Sequence, residues 1–274
     1  VAPATIPFIA AAWGWQSAFI AAGVLGFIWV IFWLRMPKNS RVKLAEESAA
    51  LAQAEKEEAR ASIPWRKLLA YRQSWSLILV RFLTDPIWWF FLFWLPDFFS
   101  KHFGYNIKES ALPLIVIYAL VTVLSILGGT LTKFLANRGW SLNKVRKISM
   151  LVFACCVVPV IFVQYFDMWT IVAVLGLAGG AHQAWSASVY TLGSDMFPKS
   201  DVASITGLSG MAGQIGSVLF QTAVGFTLSW FAAQGNASHG YDIIFMVCGS
   251  AYLAAFVIFS LIIPNINMVA PRER

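Results

Sequence analysis

The chain has 274 residues, 59% hydrophobic and only 12% charged, with a mean hydropathy of +0.69. A soluble domain carries about 25% charged residues, so the charge needed for a water-facing skin is missing and the chain reads as an integral membrane protein. Its net charge of +7 is spread over a few loops, not a stripe with interleaved stacking aromatics, which argues against a nucleic-acid partner. Heavy use of Phe (22) and Trp (13) suits a lipid-facing surface with aromatic belts at the interfaces.

The chain opens at Val1 inside an apolar stretch, without Met and without a leader peptide, so the beginning of a longer protein is expected to be missing. A spanning helix needs about 20 mostly apolar residues, and seven such runs are present. They are 15–34, 75–99, 112–134, 148–166, 169–192, 202–230 and 241–263. They are too uniformly apolar for the alternating strands of a barrel, so an all-α polytopic fold is expected.

Between the first and second spans lies a charged segment, 37–74. Residues 42–61 are rich in strong helix formers; a surface helix and a solvated linker both fit them. Ser62, Ile63 and Pro64 then interrupt, and Trp65, Arg66, Lys67, Leu68 and Leu69 read as an amphipathic helix lying on the membrane. The segment looks like a hinge between two membrane domains.

The second span holds Arg81, Thr84, Asp85, Pro86, Trp88 and Trp89. Asp85 is about ten residues into the span, or ~15 Å deep at 1.5 Å per residue, near the bilayer midplane. Arg81 is one turn earlier, at the spacing that lets the two pair. Pro86 removes a backbone donor and should kink or loosen the helix. A structural ion pair and a direct part in coupling or gating are both open for Asp85 and Arg81, since charge at this depth is costly. Asp97, beside Pro96, is near enough to the outer end to reach headgroups.

Tyr118 in the third span offers a hydroxyl at similar depth, or serves as a core aromatic. The fifth span carries His182, Gln183, Trp185, Ser186 and Ser188 at mid-depth. These residues can line a wet cavity, with Trp185 stacking on a sugar ring, or bond neighbouring helices together. The sixth span has Gly207, Gly210, Gly213 and Gly216 at intervals of three, together with Gln214 and Gln221. These glycines suit close helix packing or a surface that slides during a conformational cycle, and Gly176 and Gly180 in the fifth span suit packing; Gln214, near mid-span, is a site candidate.

The remaining signals are exclusions and orientation. Cys155, Cys156 and Cys248 all fall in apolar runs, and His182 has no partner at ligand spacing, so no disulfide framework, metal site or cofactor is expected. No HExxH or GxSxG string and no facing carboxylate pair occurs, which argues against an enzyme. Seventeen of the twenty Lys and Arg fall on the side that also holds the C-terminus, so that side is expected to be cytoplasmic.

With these parts placed, several strings resemble the major facilitator superfamily, and within it the anion:cation symporter family. Trp13, Gly14, Trp15 and Gln16 with Phe19, Gly23, Gly26 and Trp29 are similar to that family's sixth span. Pro64 to Leu69, then Leu83, Thr84, Asp85, Pro86, Ile87, Trp88, Trp89 and Phe90 with Phe93, Trp94, Leu95 and Pro96, resemble the entry to the seventh span of hexuronate transporters. Gly128, Gly129 and Leu131 with Arg138, Gly139, Trp140, Ser141, Arg146 and Lys147 resemble the loop signature between spans eight and nine.

The resemblance implies a C-terminal six-helix bundle, 75–266, preceded by the last span of an N-terminal bundle, 1–36, and followed by a cytoplasmic tail, 267–274. It implies proton-coupled uptake of a hexuronate such as galacturonate or glucuronate by alternating access, in a bacterial inner membrane. Gln183, Trp185 and Gln214 would then face the sugar, with Tyr118 and His182 beside them, while the missing N-terminal half holds the carboxylate and the main coupling residues. Lys133 stands where the family's loop signature is usually acidic, which puts the gating logic of that loop in doubt. An aldonate or another organic anion is the alternative substrate. A seven-span receptor is the rival from another class; its retinal-binding version fails because the seventh span has no Lys to form a Schiff base.

Overall fold

A computed structural model describes residues 2–35, 48–49 and 63–269, and every regular element in them is helical. The charged segment 42–61, for which a helix and a solvated linker were both open, falls, but for residues 48–49, outside the described residues, as do residues 270–274 of the tail. The chain divides into two compact units, Val1–Ser62 and Ile63–Arg274.

In the first unit, α1 (Ala2–Trp13) stops at Gly14, whose φ of 83° lies in the left-handed region that favours glycine. The helix α2 (Trp15–Arg35) follows, matching the first expected span. Only Ala18 of α2 is buried within the unit, and its Phe and Trp side chains are exposed on every side. A helix apolar all round is one that lipid or other helices must cover.

The second unit is the bundle. It consists of α3 (Trp65–Leu68), α4 (Arg72–Phe103), α5 (Ile107–Asn137), α6 (Leu142–Val157), α7 (Met168–Met196), α8 (Lys199–Ala233) and α9 (Ala237–Ile262). The α5 and α7 helices pack along each other, as do α4 and α8, and α9 lies against α4, α6 and α8. The short α3 forms where the amphipathic segment was expected and buries Leu68 completely while Trp65 stays exposed. On α9 the buried residues Tyr241, Phe245, Cys248, Tyr252, Ala255 and Phe259 recur every three or four positions. That periodicity puts one stripe in the core and leaves Ile243, Met246, Val257 and Leu261 facing outward.

Among the described residues six helices are long and apolar enough to cross a bilayer, against the seven expected. The difference is α7. It has 29 residues, a length of ~43 Å at 1.5 Å per residue, but its glycines and its His182, Gln183, Ser186 and Ser188 dilute its hydropathy. The α4 helix runs unbroken through Pro86 and Pro96. In the fourth span α6 gives way to a 3-10 helix over Val158–Tyr165, with Pro159 at its start. Proline is tolerated in a first turn because its missing N–H needs no partner there.

Close helix approach explains the small residues of α7. A Cβ added to Gly180 would lie 2.5 Å from Leu124 Cβ, and one at Gly176 would lie 2.7 Å from Leu120 Cβ, both on α5. Gly207 on α8 has open space around its Cα. Overpacking a tight contact costs about 1–3 kcal/mol. Gly180→Leu should therefore lower the thermal unfolding temperature in detergent by several degrees, whereas Gly207→Ala should leave it unchanged; equal effects would contradict this packing.

Candidate functional site

Three helices converge on one polar cavity. It has a volume of about 180 Å³ and is lined by Arg81, Asp85, Trp88 and Trp89 of α4, His182, Gln183 and Ser186 of α7, and Gln214 of α8. The α4 contributors sit at positions i, i+4, i+7 and i+8, one face of a helix. His182 and Ser186 are likewise one turn apart. Five of the seven expected site residues thus line a single cavity: Arg81, Asp85, His182, Gln183 and Gln214.

Arg81 and Asp85 form an ion pair, with Nε donating to Oδ2 at 3.0 Å and side-chain exposures of 11% and 13%. Arg81 Nη2 donates to the Tyr190 hydroxyl at 2.8 Å, and the guanidinium carbon lies 4.5 Å from the centre of that ring. The pair rests on the glycine stripe of α8. A Cβ at Gly213 would run into the Asp85 carboxylate, and one at Gly210 would lie 3.6 Å from Arg81 Nη1. Gly216 makes a related opening one turn on, where a Cβ would come 2.5 Å from the Phe82 carbonyl oxygen. That carbonyl lost its helical donor to Pro86, four residues later. The stripe read as packing surface therefore packs specifically against a charge pair and a freed carbonyl.

A second layer fixes the aromatic wall. The Trp88 ring stacks on His182 at 5.2 Å with an interplanar angle of 3°, and Tyr118 meets Trp88 edge-on at 6.4 Å. His182 is 5% exposed, and its Nδ1 lies 2.5 Å from the Tyr252 hydroxyl, which also reaches the Thr84 carbonyl at 3.3 Å. Trp185 is 1% exposed and packs edge-on against Tyr252. It stands one layer behind the cavity, and the half-buried Tyr118 touches Trp88 without lining the cavity itself. Trp88 and Trp89 offer the accessible indole surface instead. Further along α4–α8 contact, Gln221 donates to the Pro86 carbonyl at 3.2 Å and accepts from Trp94 Nε1 at 2.7 Å.

Two polar contacts lie away from the cavity. Asp97, expected at the headgroups, accepts from the Tyr241 hydroxyl at 2.5 Å and from Lys101 at 2.9 Å. Arg146, in the loop-signature string, pairs with Asp195 at the end of α7 at 2.8 Å. Among the described residues, no group of three His, Cys, Asp or Glu is placed to hold a metal ion. Trp88, Trp89, Tyr190 and Tyr252 are the contributors to which sequence reasoning gave no role in the site. Tyr190 carried a signal, since it lies one turn beyond Ser186 on the same helix face.

Removing one member of a largely buried pair leaves an uncompensated charge and costs about 3–5 kcal/mol. Arg81→Met and Asp85→Leu should each lower thermal stability more than the combined Arg81→Met/Asp85→Leu protein. Additive losses in this double-mutant cycle would show that the two charges do not depend on each other.

Comparison with known proteins adds the following. The family model described as Major Facilitator Superfamily matches residues 1–221. The chain is 31% identical over 235 residues to a hexuronate transporter of Escherichia coli strain K12, covering 82% of this chain and 54% of that protein. It is 29% identical over 266 residues to the chloroplastic sodium-dependent phosphate transport protein 1 of Arabidopsis thaliana, covering 93% of this chain and 49% of the relative. A probable galactarate/D-glucarate transporter of Escherichia coli strain K12 is 23% identical over 272 residues, with 93% and 60% covered. The chain thus spans about half the length of the relatives it matches.

Proposed function

The chain belongs to the major facilitator superfamily, and from that premise we propose that it is part of a secondary active transporter for hexuronates, working by alternating access. Its relatives are transporters, not enzymes. The observation that carries the proposal is the polar, tryptophan-walled cavity inside an otherwise apolar helical bundle. At about 180 Å³ it is smaller than the ~300–1,000 Å³ of a complete small-molecule site, as one wall of a larger site would be.

In this proposal Gln183 and Gln214 hydrogen-bond sugar hydroxyls, since each amide both donates and accepts. Trp88 and Trp89 face the ring carbons of the sugar. His182, Tyr118 and Trp185 hold that wall in register from behind. Arg81 and Asp85 form the coupling or gating pair, whose separation on protonation of Asp85 would change the wall's charge at the membrane midplane. Protons are the proposed coupling ion, and the substrate carboxylate would be held by an N-terminal half. The side bearing most Lys and Arg is taken as cytoplasmic, with the C-terminus on it, in the inner membrane of a bacterium.

Uptake of labelled galacturonate by cells or proteoliposomes containing the full-length protein tests the proposal. Uptake should be competed by glucuronate and collapse with a protonophore. Gln183→Ala and Gln214→Ala should each raise the apparent KM about three- to tenfold, the weight of one neutral hydrogen bond. Uptake competed only by galactonate would shift the substrate to an aldonate. Sodium-dependent phosphate uptake with no response to sugar acids would overturn the hexuronate reading; a relative bears that name.

A further inference from the structure

We infer that the Arg81–Asp85 pair determines how many carboxylates the substrate carries: by cancelling charge on this wall, it admits the hydroxylated end of a monocarboxylate sugar acid and rejects the second carboxylate of an aldarate. The inference rests on the sugar-acid reading and names the specificity of that same cavity.

The argument starts from the charge of the lining. Arg81 and Asp85 are its formally charged members; Trp88, Trp89, Gln183, Ser186 and Gln214 are neutral. The face of His182 is covered by Trp88, and its Nδ1 is engaged by Tyr252. A carboxylate approaching Arg81 therefore meets a guanidinium whose Nε is already bonded to Asp85 and whose Nη2 is bonded to Tyr190. Its attraction to the cation is offset by repulsion from an anion at nearly the same distance, in surroundings where both act strongly. Gly213 reinforces this, because its bare Cα lets the Asp85 carboxylate stay beside Arg81 against α8.

Hydroxyls fare differently. Gln183, Ser186 and Gln214 supply donors and acceptors without net charge. A second carboxylate, stripped of water and given no countercharge, carries a desolvation cost that nothing on this wall returns. Hexuronates present one carboxylate and aldarates two. Relatives named for each occur, so the wall's charge separates two kinds of cargo that one scaffold can carry. Arg81 Nη1, which has no hydrogen bond among the described residues, is the group that a second carboxylate would engage once Asp85 stopped compensating.

Equilibrium binding to the purified full-length protein, read by isothermal titration calorimetry, tests this without requiring turnover. Galacturonate and galactarate are the probes. In Asp85→Asn, the galactarate-to-galacturonate affinity ratio should rise about tenfold or more, as expected for uncovering a partly desolvated charge. In Arg81→Gln/Asp85→Asn the wall is neutral again and the ratio should return to that of the unaltered protein. Tyr190→Phe, which frees Nη2 and leaves both charges in place, should give a smaller shift in the same direction and serves if Asp85→Asn does not fold. A ratio unchanged in Asp85→Asn, or a shift that persists in the double variant, overturns the inference while leaving hexuronate transport intact. Failure of the unaltered protein to bind either sugar acid sinks the reading beneath it.

Discussion

The Arg81–Asp85 ion pair is the constraint around which the bundle is arranged. Two charges near the middle of a membrane helix are costly unless each is satisfied, and here they pair with each other while neighbouring helices supply a hydroxyl and room. Nε of Arg81 meets Asp85, Tyr190 of α7 takes Nη2, and the glycines of α8 leave the room that both side chains need. The tight α4–α8 contact is thus an adaptation to buried charge as much as a packing motif. The neutrality of the pair, in turn, lets Gln183, Ser186 and Gln214 define the chemistry of the cavity.

Behind the pair, aromatic groups hold the wall rigid. Trp88 is fixed by stacking on His182, His182 by Tyr252, and Tyr252 by the Thr84 carbonyl and by Trp185. This chain of contacts joins α4, α7 and α9. A shift of α9 would consequently be felt at Trp88, on the cavity surface, through two intervening rings. In the proposed transporter, support of this kind would let the wall move as one body.

Much of this was legible in the sequence, because lipid imposes simple rules. Long apolar runs mark helices. An Asp and an Arg four residues apart inside such a run can pair with each other, and Arg81 and Asp85 do. Gln183, His182 and Gln214 were readable as candidates by depth alone. Features that depend on register between distant helices were not readable. Tyr241 lies 144 residues from its partner Asp97, and Tyr252 lies 70 residues from His182. Trp185 was read as the stacking tryptophan from its depth, yet helix rotation buries it and leaves Trp88 and Trp89 at the cavity. Pro159 was visible, but the change from α to 3-10 winding there was not, nor was the close approach of α9, where a Cβ at Gly249 would lie 3.1 Å from the Val158 carbonyl oxygen.

The most direct measurement is a structure of the full-length protein with galacturonate bound. The account predicts ring hydroxyls within hydrogen-bond distance of Gln183 and Gln214, with Arg81 Nε still bonded to Asp85 and the sugar carboxylate held elsewhere. A galacturonate carboxylate seated on the Arg81 guanidinium, with Asp85 displaced, would contradict it.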